Sequence, residues 1–179
     1  MANIKVNDKD FEIYLTEDQL QKRIKELAKQ INADYQGKKV YFIAILNGSF
    51  MFAADIFKHL TIDSEICFIK LVSYKGMKST GSVATTIGLD EDLHQKHVII
   101  LEDIIDSGKP VHYFLPKLMH QQPLSLKIAS LLHKAEMTQY DIPIDYVGFV
   151  IPNKFVVGYG LDYDGLGRNY KDIYQVVES

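Results

Sequence analysis

The sequence predicts an α/β fold: an open, mainly parallel twisted sheet with helices on both faces, in a single domain over residues 1–179. Three observations lead there. Short apolar runs such as VYFIAIL (40–46), HVIILED (97–103) and KIASLL (127–132) lack the alternation of a half-exposed strand. Strands covered on both faces read this way. Helical patterns separate several of these runs, as in a sheet built by crossovers. Finally, 179 residues with 47% apolar and 24% charged side chains suit one ordinary globular core.

The elements follow in chain order. Thr16 with Gln19 is a capping-box pattern, and Leu20, Ile24, Leu27, Ala28 and Ile31 then share one helical face. That helix is predicted to end near Tyr35-Gln36-Gly37. VYFIAIL is a buried strand, Asn47-Gly48-Ser49 a tight turn, and 50–60 a helix with Phe50, Ala53, Ala54 and Phe57 at helical spacing. EICFIKLVSY (65–74) is a second strand, KGMKSTGS (75–82) a polar loop, and VATTIG a further strand. After HVIILED a helix starts past Gly108, with Pro110 tolerable in its first turn and Pro116 kinking or delaying it. KIASLL, DYVGFVI (145–151) and DIYQVV (172–177) complete the strands. The chain from about residue 133 is richer in Gly, Asp and Tyr, and is expected to form an appendage over the sheet edge.

Composition narrows the function classes. A net charge of −3 gives no sign of a nucleic-acid-binding surface. The lone Cys67, inside an apolar run, reads as a buried inert thiol. The first residues lack a signal peptide's apolar core, and no run approaches the ~18 apolar residues of a membrane span. A cytoplasmic protein with no membrane partner is the expectation. The six histidines form no metal pair at helical spacing; His94 and His97 flank a polar turn and read as surface or local capping groups.

The chemistry concentrates in VIILEDIIDSGKP (98–110). A buried strand delivers Glu102 and Asp103 to its carboxyl end, where open α/β sheets bind ligands. Asp106-Ser107-Gly108-Lys109 then forms a strand-to-helix turn whose amides and helix start make an anion site. Carboxylates repel phosphate but accept well from sugar hydroxyls. A ribose 5-phosphate satisfies both halves. Acids ending a strand also suit a Walker B strand, but no G-x-x-x-x-G-K-[ST] loop exists in the chain.

The segment resembles the phosphoribosyl-pyrophosphate motif of the type I phosphoribosyltransferases. More narrowly, the chain is similar to the hypoxanthine-guanine phosphoribosyltransferases in four ordered segments. LNGSFMFAADI (46–56) resembles their pyrophosphate loop, SYKGMKSTG (73–81) their flexible loop, and KIASLLHK (127–134) and VGFVIPNKFVVGYGLDYDGLGR (147–168) their purine pocket. The resemblance implies a type I phosphoribosyltransferase fold with a small hood, formed mainly by about 133–179 with some N-terminal residues. It implies transfer of a phosphoribosyl group from phosphoribosyl pyrophosphate to a 6-oxopurine, with Mg²⁺, in a homodimer or homotetramer.

The implied roles are specific. Glu102 and Asp103 would hold the ribose hydroxyls, directly or through Mg²⁺, with Asp162 as a further metal ligand. Asp106 would be the general base at purine N7. Ser107, Gly108, Lys109 and Pro110 would frame the 5-phosphate. Leu46, Asn47, Gly48 and Arg168 would meet pyrophosphate. Lys134, Phe155, Val156 and Asp162 would form the purine pocket, and Ser73 and Tyr74 would belong to a closing loop. Two positions depart from the common pattern: Pro110 replaces a threonine, and Asn47 a lysine. A different class, a regulator of this fold that senses phosphoribosyl pyrophosphate without transferring it, needs neither Asp106 nor a purine pocket. A preference for xanthine within the enzyme class stays open. Singly, the residues are ambiguous: the acids read as helix-start charges, Lys134 as a solvated lysine, Phe155 as core and Asp162 as a turn residue.

Overall fold

The computed structural model describes residues 3–73, 83–87 and 91–177, with the backbone alone at 72–73 and 83–87. The chain runs β1 (Ile4–Val6), β2 (Lys9–Leu15), α1 (Glu17–Asp34), β3 (Val40–Leu46), α2 (Phe50–Phe57), β4 (Ser64–Ser73) and β5 (Val83–Ile87). It continues through β6 (His97–Ile105), α3 (Lys109–Met119), β7 (Ser125–His133), a 3-10 turn (Ala135–Met137), β8 (Tyr146–Val150), β9 (Val156–Val157) and β10 (Ile173–Val176). The larger sheet has the order β5-β4-β3-β6-β7-β8; all neighbours are parallel except β5, which lies antiparallel on the β4 edge.

Each of its strands feeds two cores, because successive side chains point to opposite faces. In β3, Val40, Phe42 and Ala44 join the core under α1 and α2, whereas Tyr41, Ile43 and Ile45 join the core under α3. Helix α1 opens with the Thr16–Gln19 capping box and buries Leu20, Ile24, Leu27, Ala28 and Ile31, as its period predicts. Helix α2 departs from expectation. It ends at Phe57 and continues only as i→i+3 turns through Leu60; it buries Phe52, Ala53 and Ile56, and leaves Phe50 41% exposed. In FMFAADIF nearly every position is apolar, so periodicity cannot choose the face. Helix α3 is not delayed: it starts at Lys109 and runs through Pro116 to Met119. Pro116 is exposed, and Val111, Phe114 and Leu118 hold the helix from the other side. Cys67 is free and only partly buried, not enclosed, and burial raises its thiol pKa. His97 is no cap: its Nδ1 lies 2.8 Å from Ser125 Oγ.

A second, antiparallel sheet has the order β1-β2-β10-β9 and a core of Val6, Phe11, Val157 and Tyr174. Its first hairpin turns at Asn7, whose φ of 52° suits Asn-Asp between two short strands. This small sheet unites the two ends of the described chain and forms a hood; β8 instead is the edge of the larger sheet. Tyr74 and the polar segment 75–82 lie outside the described residues. No helix among the described residues is long and apolar enough to cross a membrane.

Candidate active site

Strand order places the crevice. The chain passes from β3 to β4 on one side, then to β6 on the other, so the order reverses between β3 and β6. Ligands of open α/β sheets bind outside the carboxyl ends of the strands at such a switch point. Asn47-Gly48-Ser49 follows β3 there, and Glu102, Asp103 and the 106–109 turn end β6. The Leu46–Asn47 peptide is cis. Strand β6 outruns its partner: pairing with β3 stops at Ala44 and Leu101, and Asp103 beyond it meets Gly48 of the β3 turn, while Glu102 lines the cavity beside the 106–109 turn.

The two acids carry an electrostatic cost. Glu102 is buried, and burial, with the neighbouring Asp103, holds its pKa well above the usual carboxylate range. Burial also lifts Asp103 to about 6, against backbone hydrogen bonds from Ile104 and Asp103 and the charge of Arg168. Adjacent carboxylates in such a place call for donors or a cation. Among the described residues no three His, Cys, Asp or Glu groups converge as a preformed metal cage. Mg²⁺ does not need one, because it binds through one or two carboxylates plus substrate phosphates and water. Two crowded acids at a strand end fit that manner of binding.

Gly48 is fixed by contact. A Cβ there would lie 1.5 Å from Asp103 Oδ2, and a Cβ on Gly160 would lie 2.0 Å from Gly48 O. The β3 turn thus meets the Asp103 side chain on one side and the backbone of the hood on the other. Around Gly160, Arg168 donates from Nη1 to Gly160 O at 2.7 Å and pairs with Asp162 Oδ1 at 2.7 Å. Tyr159, fully buried, donates its hydroxyl to Asp55 on α2, which also accepts from Gln21 and pairs with Lys58. Gly48→Ala is expected to cost about 1–3 kcal/mol of stability by overpacking and to abolish activity by displacing the Asp103 carboxylate. Thermal melts and turnover of that variant check it; wild-type turnover would mean the contact yields.

The turn 106–109 starts α3. Gly108 adopts φ 78°, and a Cβ there would lie 2.4 Å from Ile142 Cδ1. Pro110 is the second residue of the helix and is exposed. A nitrogen in the first turn has no intrahelical acceptor, so proline there costs the helix nothing. The first intrahelical bond runs from His112 N to Gly108 O, leaving the earlier amides aimed at the turn. A cavity of about 160 Å³ lined by Glu102, Ile105, Asp106, Ser107, Gly108 and Pro110 lies beside it. A larger cavity, about 570 Å³, opens at the opposite ends of the strands, but its Lys39 and Lys96 already pair with Glu65 and Glu91.

The residues expected to form the purine pocket arrive from the end of β7 and from the hood. Lys134 follows β7 as Asp106 follows β6, and the register Ile105 to His133 sets them side by side. Lys134, only 7% exposed, places Nζ 3.1 Å from Asp106 Oδ2. Phe155 stands 45% exposed at the edge of the hood, 5.5 Å from the Tyr163 ring, and Val156 is buried in β9 behind it. The sequence reading brought Glu102, Asp103, Asp106, Lys134, Asp162 and Arg168 to this crevice. Tyr159 and Gly160 lie in the 147–168 segment but were not singled out, although the Gly-Tyr-Gly spacing at 158–160 marks them.

A parallel sheet with crowded acids and an amide-lined turn at its switch point suits a ligand that carries both a phosphate and hydroxyl groups. Comparison with known proteins agrees. Residues 11–164 match the model of the phosphoribosyl transferase domain. The hypoxanthine phosphoribosyltransferase of Buchnera aphidicola subsp. Schizaphis graminum is 45% identical over 154 residues, covering 84% of this chain and 87% of that protein. The hypoxanthine-guanine-xanthine phosphoribosyltransferase of Tritrichomonas foetus is 38% identical, covering 88% and 86%. A crystal structure of a hypoxanthine-guanine phosphoribosyltransferase from Bacillus anthracis superposes with a TM-score of 0.87 at 40% identity, covering 93% of this chain and 97% of that one. The chain belongs to the phosphoribosyltransferase family, among its hypoxanthine phosphoribosyltransferases.

Proposed function

We propose that the protein transfers the 5-phosphoribosyl group of phosphoribosyl pyrophosphate to N9 of a 6-oxopurine, hypoxanthine or guanine, giving IMP or GMP and pyrophosphate in purine salvage. The observation that carries this is the Lys134–Asp106 pair, a donor and an acceptor 3.1 Å apart beside the anion turn. A 6-oxopurine protonated at N7 presents the complementary pair, the O6 acceptor next to the N7–H donor. Adenine would set its amino donor against the lysine, which has only donors.

In this reading the residues take the roles that the resemblance implies. Ser107, Gly108 and Lys109 cradle the 5-phosphate, with Pro110 closing the turn without an amide of its own. Glu102 and Asp103 accept from the ribose 2- and 3-hydroxyls. Leu46, Asn47, Gly48 and Arg168 receive the pyrophosphate. Phe155 stacks on the base and the Val156 backbone meets its edge, near Asp162. As N9 bonds to the anomeric carbon, the bond to pyrophosphate oxygen breaks, and the N7 proton passes to the Asp106 carboxylate. Charge develops on the sugar, so fixed geometry and electrostatics carry the rate. Mg²⁺, reached by Glu102, Asp103 and Asp162, would neutralise pyrophosphate charge when bound with substrate. Ser73, expected in a loop, instead ends β4, where it pairs with Val83.

We further infer a cytoplasmic homodimer or homotetramer. Phe50 and Phe68, each 41% exposed, support an apolar contact between copies.

The test is nucleotide formation from phosphoribosyl pyrophosphate and Mg²⁺ with hypoxanthine, guanine, xanthine, adenine and uracil separately. Product with hypoxanthine or guanine, and none with adenine or uracil, is expected. Product with adenine would refute the role of Lys134, and no product with any base would refute the transferase.

A further inference from the structure

Asp106 and Lys134 each stand one residue beyond a strand, where the sheet's own hydrogen bonds end. The last rung is Lys134 N to Ile105 O at 2.9 Å. Beyond it, one side chain bridges the two segments. Thr138, just past the 3-10 turn, places Oγ1 3.2 Å from Asp106 O, 3.2 Å from Lys134 O and 3.0 Å from His133 Nε2.

A threonine hydroxyl has one proton to give. The two carbonyls stand at equal distance and divide that proton between them, and Lys134 O also accepts from Met137 N at 2.9 Å. The hydroxyl oxygen then accepts from His133, whose Nε2 carries its hydrogen in this arrangement. The other branch of the side chain is used as well: Thr138 Cγ2 lies 3.6 Å from the point where a Cβ on Gly108 would stand. The next residue adds a backbone tie, Gln139 N to Ser107 O at 3.1 Å. One threonine therefore touches the end of the base-reading strand through its hydroxyl and the phosphate turn through both branches.

We propose that Thr138 is a positioning residue that holds the Asp106 turn in register with Lys134. It meets no substrate. It fixes the separation of the donor and acceptor that read the 6-oxo edge, and so rests on the reading of that pair given above. Proton transfer is sensitive to such separation, since a shift near 1 Å away from the chemistry can cost up to about 10²-fold.

Two substitutions separate positioning from packing. Thr138→Val keeps the methyl and the shape but removes the hydroxyl; Thr138→Ser keeps the hydroxyl and removes the methyl. The expected result is a fall of about tenfold in kcat, with a raised KM for hypoxanthine, in Thr138→Val. Thr138→Ser should stay within about threefold of wild type even where its melting temperature is the lower of the two, because it loses a packed methyl. The reverse order, Ser impaired and Val unimpaired, overturns the proposal, as does normal turnover in both. Wild-type turnover is the control, and its absence would count against the transferase reading instead. In that event the crystal structure of Thr138→Val decides, and an Asp106–Lys134 pair still within hydrogen-bond reach overturns the role of Thr138.

Discussion

Asp106→Asn is expected to slow nucleotide formation by about 10²-fold or more, the range of a lost general base, while leaving the fold intact. Asparagine keeps the shape and still offers an oxygen to the Lys134 ammonium 3.1 Å away, so the half-buried pair loses charge but not its hydrogen bond. Alanine would instead strand a nearly buried lysine, and would confuse a loss of stability with a loss of chemistry. The effect should appear in kcat, with little change in the KM of phosphoribosyl pyrophosphate, because the amides of the turn are untouched. Steady-state kinetics beside a thermal melt read both. Turnover within about threefold of wild type would remove Asp106 from the proton transfer.

Asp103→Asn should do two opposite things: raise the stability of the cation-free protein at pH 7.5 and abolish activity. The Asp103 carboxyl titrates near 6 in the folded chain against 3.8 in its ordinary state. Between those values the folded protein holds more protons than the unfolded chain, so its stability falls as pH rises through the window. Above pH 6 the ionised, crowded group costs up to about 3 kcal/mol. Its neighbour Glu102 is shifted the same way and adds to the slope. Asparagine removes the Asp103 charge and with it the repulsion that Asp103 exerts on Glu102. Melts from pH 4 to pH 8 in a chelating buffer should therefore diverge, with wild type losing stability and the variant losing less. Added Mg²⁺ should restore wild type more at pH 7.5 than at pH 5. Parallel melting curves for the two proteins would show that Asp103 is not strained in this way. Destabilisation at a site is the usual companion of function, since ligand binding offsets it.

The legibility of the sequence was uneven for physical reasons. Strands β3, β6 and β7 were visible because burial on both faces demands unbroken apolar runs. Helix α1 was visible because it buries one stripe, which leaves a period in the sequence. Helix α2 showed no such stripe, and only its packing against β3 and β6 decides that Phe52 turns inward and Phe50 outward. The N-terminal strands of the small sheet left no readable pattern, and only the resemblance implied N-terminal residues in the hood. β2 pairs with β10, 158 to 165 residues away along the chain, and no local pattern records so distant a partner.

The site divides along the same line. By itself the sequence determined the acids ending a strand, the amide turn after them and the lysine ending the next run. Chemistry of that kind is local: a residue type, a spacing and a strand end are enough to state it. Only the tertiary structure decided that β6 outruns β3, that Gly48 is pressed between Asp103 and Gly160, and that Thr138 bridges Asp106 and Lys134. Those are contacts between segments remote in sequence. They arise from strand order and close packing, which act through space and leave no mark in the spacing of residues along the chain.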